Sequence, residues 1–246
     1  MTWKICACND AAELWLGDAV GVGLDASGLR ALVQGMTRAC NDQAHAAQTL
    51  FQHVAQLPFS VSDLEQRCNP RLLALNHEGD AYFKATLLLH LLRLEGIPAR
   101  LRWVQLQSEL LTRGLWDFVR HTGQAFVYPL TEAFLAGRWL CTDAYILDAP
   151  LLLAVHRQLD SREWLSGFLA HRSGVAQWDA QGDAHQRFVA DDPSGMGVQD
   201  LGCSHSHADF VRMAPQHFKE TRVFQLAYAS QAVLMTQELN RMRLNG

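Results

Sequence analysis

Apolar and polar positions follow two rhythms along the chain. From Ala44 to Leu57, the residues Ala47, Leu50, Phe51, Val54 and Leu57 recur at helical spacing. That predicts a helix over residues 26–57, capped by Asp25 or Ser27 and ended by Pro58. Residues 80–95 are apolar around most of a helical circumference, which predicts a buried central helix. Gly79 and Asp80 suit its N terminus, and Gly96 suits its stop. Residues 97–107 switch to alternation and read as a strand. Residues 124–135 and 137–147 read as two more strands joined around Ala136-Gly137. Helices are expected at 109–120, 150–170 and 220–243, short strands and turns at 1–25, and a connection at 58–79. Residues 171–209 are rich in Gly, Asp and His and read as a loop, long enough to shape a site. Helices followed by a strand-rich half predict an α+β fold. The expectation is a single domain over 1–246, with a core at about 40–148 and a C-terminal helical addition at about 149–246.

Composition narrows the partners. The 246 residues are 49% hydrophobic and carry a net charge of −4. No basic stripe stands out, so nucleic acid is not an expected partner. No apolar run approaches ~18 residues, so no membrane span is expected. The start lacks a charged segment followed by an apolar one, which argues against a signal peptide. The six cysteines are scattered without CxxC pairs, as suits a cytoplasmic protein with reduced thiols. The glycines of Val20–Leu24 do not form a dinucleotide-binding loop. Cys203, His205 and His207 stand at i, i+2 and i+4, a spacing unlike the common zinc patterns. A polar loop is the better reading, and neither metal nor cofactor is expected.

One stretch carries a resemblance. Gly79-Asp80-Ala81-Tyr82-Phe83-Lys84-Ala85, running on to Leu91-Leu92-Arg93-Leu94-Glu95-Gly96-Ile97-Pro98-Ala99-Arg100, resembles the core signature of transglutaminase-like proteins. In that family G-x-C-x-x-x-A opens a buried helix that ends in L-L-R-x-x-G-I-P-A-R. Tyr128-Pro129-Leu130-Thr131-Glu132 through Trp139 and Asp143 is similar to the family's H-P-x-x-E block with its tryptophan and aspartate. The stretch around Gly174 to Asp200 resembles the tail of some bacterial members, so the resemblance covers roughly residues 40–200. It implies a transglutaminase-like, papain-like core: a central helix packed on an antiparallel sheet. It also implies a cysteine nucleophile at position 81 and a histidine at 128, where this chain has Ala81 and Tyr128.

The two substitutions remove the usual chemistry. A thiol at a helix N terminus is acidified by the dipole, and a histidine takes its proton. Alanine offers no nucleophile, and a phenol is a poor base near neutral pH. Asp143 survives, with Tyr128, Lys84 and Glu132 as further candidates for catalysis. Lys84 is either a pocket amine or a solvated helix lysine. Glu132 and Asp143 are either an acid/base pair or ordinary hydrogen-bonding carboxylates. Asp80, Ala81, Tyr82, His121 and Trp139 are candidates for substrate binding. Cys141 is either a relocated nucleophile or a buried strand cysteine. The leading expectation is a cysteine-independent enzyme doing acid/base or addition–elimination chemistry on a small molecule, in a biosynthetic role. The alternatives are a non-catalytic binding protein, and an amidase or acyltransferase whose nucleophile is replaced by Ala81.

Overall fold

The computed structural model describes residues 11–16, 26–61, 78–106, 113–114, 126–187, 198–215 and 222–245. The elements are α1 (Ala26–Thr37), α2 (Gln43–Gln56), α3 (Ala81–Leu94), β1 (Ala99–Leu106), β2 (Phe126–Leu135) and β3 (Arg138–Thr142). They continue with α4 (Ala149–Ser161), β4 (Ser166–Gly167), β5 (Ala170–His171), β6 (Gln199–Ser204), α5 (His207–Met213) and α6 (Arg222–Asn245). A 3-10 turn spans Ala12–Trp15. The class is α+β: a four-stranded antiparallel sheet in the order β3-β2-β1-β6, a two-stranded β4-β5 ribbon, and surrounding helices.

α3 is defined at both ends by its own residues. Asp80 caps the N terminus by accepting from Phe83 N at 3.0 Å. At the other end Gly96 has φ +81°, which an L side chain rarely adopts. Gly96 N donates to Arg93 O at 3.0 Å and Ile97 N to Leu92 O at 2.9 Å, the paired bonds of a Schellman stop. Between the ends, Leu87, Leu88, Leu89, Leu91 and Leu92 are all buried. Each contributes about 1.5–3 kcal/mol of transfer free energy. α3 packs on β1 and β2 from one side and on α2 from the other.

Alternation gives the sheet two unlike faces. Thr131 Oγ1 reaches Ala85 O at 3.4 Å and Tyr145 Oη at 2.8 Å, so this face of β2 meets α3. Tyr128 and Glu132 fall on the opposite face. There Glu132 lies across from Arg100 on β1 and Cys141 on β3.

Several expected boundaries shift. The helix expected at 26–57 is two helices, and Asp42 caps the second by accepting from His45 N at 2.8 Å. Ser27 lies inside α1, and Asp25 lies outside the described residues. The strand expected at 137–147 ends at Thr142, because the chain turns at Asp143–Ile146 through Ile146 N donating to Asp143 O. The helix expected at 150–170 stops at Ser161 and gives way to the β4-β5 ribbon. The loop expected at 171–209 contains β6 and the start of α5. β6 reads Gln-Asp-Leu-Gly-Cys-Ser and is only half buried, so it carries no alternation to detect. The helix expected at 109–120 lies outside the described residues except for 113–114.

Candidate functional site

The turn after β3 holds Asp143, which is fully buried. Its Oδ1 accepts from Gln186 N at 2.7 Å and lies 3.4 Å from His185 Nδ1. Its Oδ2 lies 3.4 Å from Tyr128 Oη. Arg187 completes the group, with its guanidinium carbon 4.9 Å from the centre of the Tyr128 ring. Three separate segments therefore converge: β2, the end of β3, and residues 183–187.

The last segment is held in place by backbone and by one amide. Ala184 N donates to Cys141 O, and Asp143 N donates to Ala184 O, both at 3.1 Å. Val175 N donates to His185 O at 2.9 Å, and His171 N to Gln186 O at 2.8 Å. The Gln186 side chain is fully buried and satisfied by the turn beyond Asp143. Its Nε2 donates to Ala144 O at 2.7 Å and Leu147 O at 2.9 Å, and its Oε1 accepts from Leu147 N at 2.7 Å. Gly174 lets the segment come close, since a Cβ there would meet Gln186 O at 2.3 Å. His185 and Arg187 flank this anchored glutamine.

The chemistry of the group follows from its burial. Burial first, and Asp143 second, push the Tyr128 phenol well above its ordinary pKa. Tyr128 therefore stays protonated and acts as a donor. A buried carboxylate facing an imidazole nitrogen can orient the ring. The His185 side chain keeps 14% of its exposure, whereas Tyr128 and Asp143 are buried.

The other candidates are placed elsewhere. Glu132 is bound by two arginines: Arg100 Nε at 2.5 Å and Arg102 Nη1 at 3.0 Å. Burial works against the Arg102 charge, but Asp200 and Glu132 outweigh it and raise its pKa. Glu132 and Asp143 are thus not a paired acid and base. Lys84 is fully buried, which corrects the solvated reading. Its Nζ donates to Tyr145 O at 3.0 Å and Ile146 O at 2.9 Å, bracing the same turn from the α3 side. Burial lowers its pKa to about 7, with Asp148 opposing the shift and Arg243 adding to it. Ala81 opens α3 in a buried position next to the cap Asp80. Tyr82 hydrogen-bonds Val127 O and packs near Trp103 and His207. Trp139 lies 4.0 Å from the Arg100 guanidinium. Cys141 is buried, and desolvation pushes its thiol up, with Glu132 next in effect; that is the reverse of an activated nucleophile. His121 lies outside the described residues.

Cys203, His205 and His207 diverge. Cys203 Sγ approaches Glu132 at 3.7 Å, His205 stacks on Trp15, and His207 meets Tyr82 and Trp103. Among the described residues no three His, Cys, Asp or Glu side chains group to hold a metal. None of the described helices is long and apolar enough to cross a membrane.

A separate cleft of about 670 Å³ opens between α2, the start of α4 and the turn at 176–179. Its ionic groups satisfy each other. Asp148 takes Arg243 Nη2 at 2.6 Å and Nε at 2.9 Å, and also accepts from Phe59 N at 2.8 Å. Burial would raise the Asp148 pKa, but Arg243 and the Phe59 amide outweigh it and hold the carboxyl low. Neither Asp143, His185 nor Tyr128 lines this cleft, so it is separate from their group.

Tyr128 and Asp143 stand out in the sequence, whereas His185 and Arg187 do not. The available signal was the length of the Gly-, Asp- and His-rich stretch that contains them.

No family model and no curated protein matches the chain. A solved structure of a putative protease from Parabacteroides distasonis ATCC 8503 is similar at 14% identity and a TM-score of 0.34. The likeness covers 53% of this chain and 24% of that one.

Proposed function

We propose that the protein is a cysteine-independent acid–base enzyme acting on a small molecule, built on a diverged transglutaminase-like scaffold. The observation that carries the chemistry is the fully buried Asp143 beside the Nδ1 of the partly exposed His185. Imidazole is the side chain suited to moving a proton near neutral pH. In this reading His185 takes a proton from the substrate, and Asp143 stabilises the imidazolium that results. Tyr128, whose bond to Asp143 is long, turns its O–H toward negative charge developing on the substrate. The scaffold reading is supported by α3, which is capped by Asp80, opens on Ala81 and packs on an antiparallel sheet leading to Asp143; Tyr128 lies on the sheet face turned away from α3, and there this chain departs from that scaffold's usual pairing. The thiol is not needed for this chemistry.

Proton abstraction at carbon leaves a direct trace. The protein is incubated in D2O with small 2-oxo and 3-oxo acids and their methyl esters, and loss of C–H signal is followed by proton NMR. Exchange faster than buffer is expected on at least one compound. His185→Gln and Asp143→Asn should each slow it by about 10²–10⁴-fold. Exchange by both variants at the parent rate, or none with any compound, defeats the reading.

A further inference from the structure

We propose that Arg187 anchors a carboxylate of the substrate, so that this site takes a small monoanionic carboxylic acid. The proposal rests on the acid–base reading of Asp143 and His185 and names the class of molecule that the site accepts.

Arg187 differs from the buried arginines that hold carbonyls or carboxylates. Arg93 gives two bonds to Ala99 O, at 3.0 and 2.8 Å. Arg102 forks between Glu132 and Asp200, and Arg100 holds Glu132. Arg187 is only 6% exposed, yet its Nε has no hydrogen-bond partner among the described residues. Its close contact is with the Tyr128 ring, which offers a π face and no lone pair directed at an N–H. A buried guanidinium N–H without an acceptor is costly, and proteins seldom keep one without use.

The nearby carboxylates do not fill the gap. Asp143 Oδ1 receives Gln186 N and faces His185, and its Oδ2 faces Tyr128. Glu132 is bound by two other arginines. An incoming carboxylate supplies two acceptor oxygens in the plane that a guanidinium fork matches. With the Asp143 carboxylate already beside the phenol, a singly charged carboxylate meets less repulsion than a doubly charged phosphate. The anchored Gln186 places the proton-moving imidazole and the anion anchor on either side of one rigid residue. The His185 side chain is 14% exposed and Arg187 6%, which favours a small acid.

The test uses protein labelled with ¹⁵N-arginine, with the Arg187 Nε–H resonance assigned through Arg187→Lys. Acetate, benzoate, methyl benzoate and inorganic phosphate are titrated separately. A saturable shift of that resonance is expected with acetate or benzoate and none with the ester. His185→Gln should keep the carboxylate response while losing deuterium exchange. Arg187→Met, followed through the His185 ring signals, should bind benzoate at least about tenfold more weakly. It should also melt no lower than the parent, because it removes an unsatisfied buried charge. No saturable shift with either acid overturns the proposal. So does phosphate binding about tenfold tighter than acetate. So does an Arg187→Met protein that melts well below the parent yet binds benzoate unchanged. The two readings fail differently. Carboxylate binding without any deuterium exchange defeats the acid–base reading alone. Exchange that is equal on acids and methyl esters, and indifferent to Arg187→Met, defeats the anchor alone.

Discussion

Glu132 and Asp143 are two buried carboxylates of the same sheet region, 2% and 0% exposed, and they are held in opposite ways. Glu132 is pinned by Arg100 and Arg102, with Asp200 extending the network. Asp143 receives one short backbone bond, and its remaining neighbours, His185 and Tyr128, stand at 3.4 Å. Full charge compensation makes a carboxylate a structural tie. Loose contacts to an imidazole and a phenol, beside an arginine whose Nε lacks an acceptor among the described residues, leave room for a reaction. The largest expected effect tests this contrast. Glu132→Ala takes a carboxylate from two buried guanidinium groups, Arg100 and Arg102, the second of which keeps Asp200, and should cost about 3–5 kcal/mol in a denaturant melt. Asp143→Asn keeps the shape and should cost only about 1–2 kcal/mol while abolishing exchange. Equal losses of stability would erase the distinction.

A second effect separates acid sensitivity in the helix from acid chemistry at the site. His90 on α3 is 6% exposed, and its Nδ1 has no hydrogen-bond partner among the described residues. Burial first, and Arg93 second, lower its pKa from 6.5 to about 4. The unfolded chain takes up this proton near 6.5 and the folded chain only near 4. Stability from this group is therefore fully present above 6.5 and is lost as pH falls toward 4, by about 3 kcal/mol in total. His90→Leu should flatten that part of a stability–pH curve without changing the pH dependence of exchange. An unchanged curve would show that His90 is not the group responsible.

The part of this molecule that could be read in advance is the part whose reasons are local. α3 announces itself through Asp80, five buried leucines and Gly96, all within one stretch. The β2–β3 hairpin is marked by Ala136-Gly137, whose φ values of 49° and 80° suit a two-residue turn. Asp143 and Tyr128 could be singled out because they lie in a recognisable block. His185 and Arg187 could not, because their positions depend on Gln186 binding a turn about forty residues earlier in the chain and on Gly174 leaving space. β6 was missed for the same reason: its pairing partner, β1, is remote in sequence. Lys84 misled in the other direction. Its charge suggests solvent, but two carbonyls of the 143–147 turn draw it inside.

The close approach at Gly174 gives a smaller and more local test. An added methyl would meet Gln186 O at 2.3 Å, and backbone cannot swing away as a side chain can. Gly174→Ala should cost about 1–3 kcal/mol and displace His185 and Arg187 together. Exchange and benzoate binding should then fall in parallel. If the melt shifts but both functions survive, the segment can move without disturbing the site, and its rigidity is not part of the mechanism.

The smallest expected effect on stability concerns the emptied end of α3. Ala81→Cys adds a single sulfur at a buried helix N terminus and should change stability by about 1 kcal/mol or less. The dipole favours a thiolate there, but a proton acceptor is also needed. Tyr128 lies on the face of β2 opposite Thr131, the residue that meets α3, and its phenol holds its proton tightly. The substituted protein should therefore hydrolyse a p-nitrophenyl ester no faster than the parent, whose own cysteines supply the background. Adding Tyr128→His should not change this, because the imidazole would project from the same face as Glu132. A burst of nitrophenol from the double variant would mean that positions 81 and 128 do meet. A geometry suited to acyl transfer would then exist between α3 and β2, and the Asp143–His185 pair would have to be understood as an addition to it.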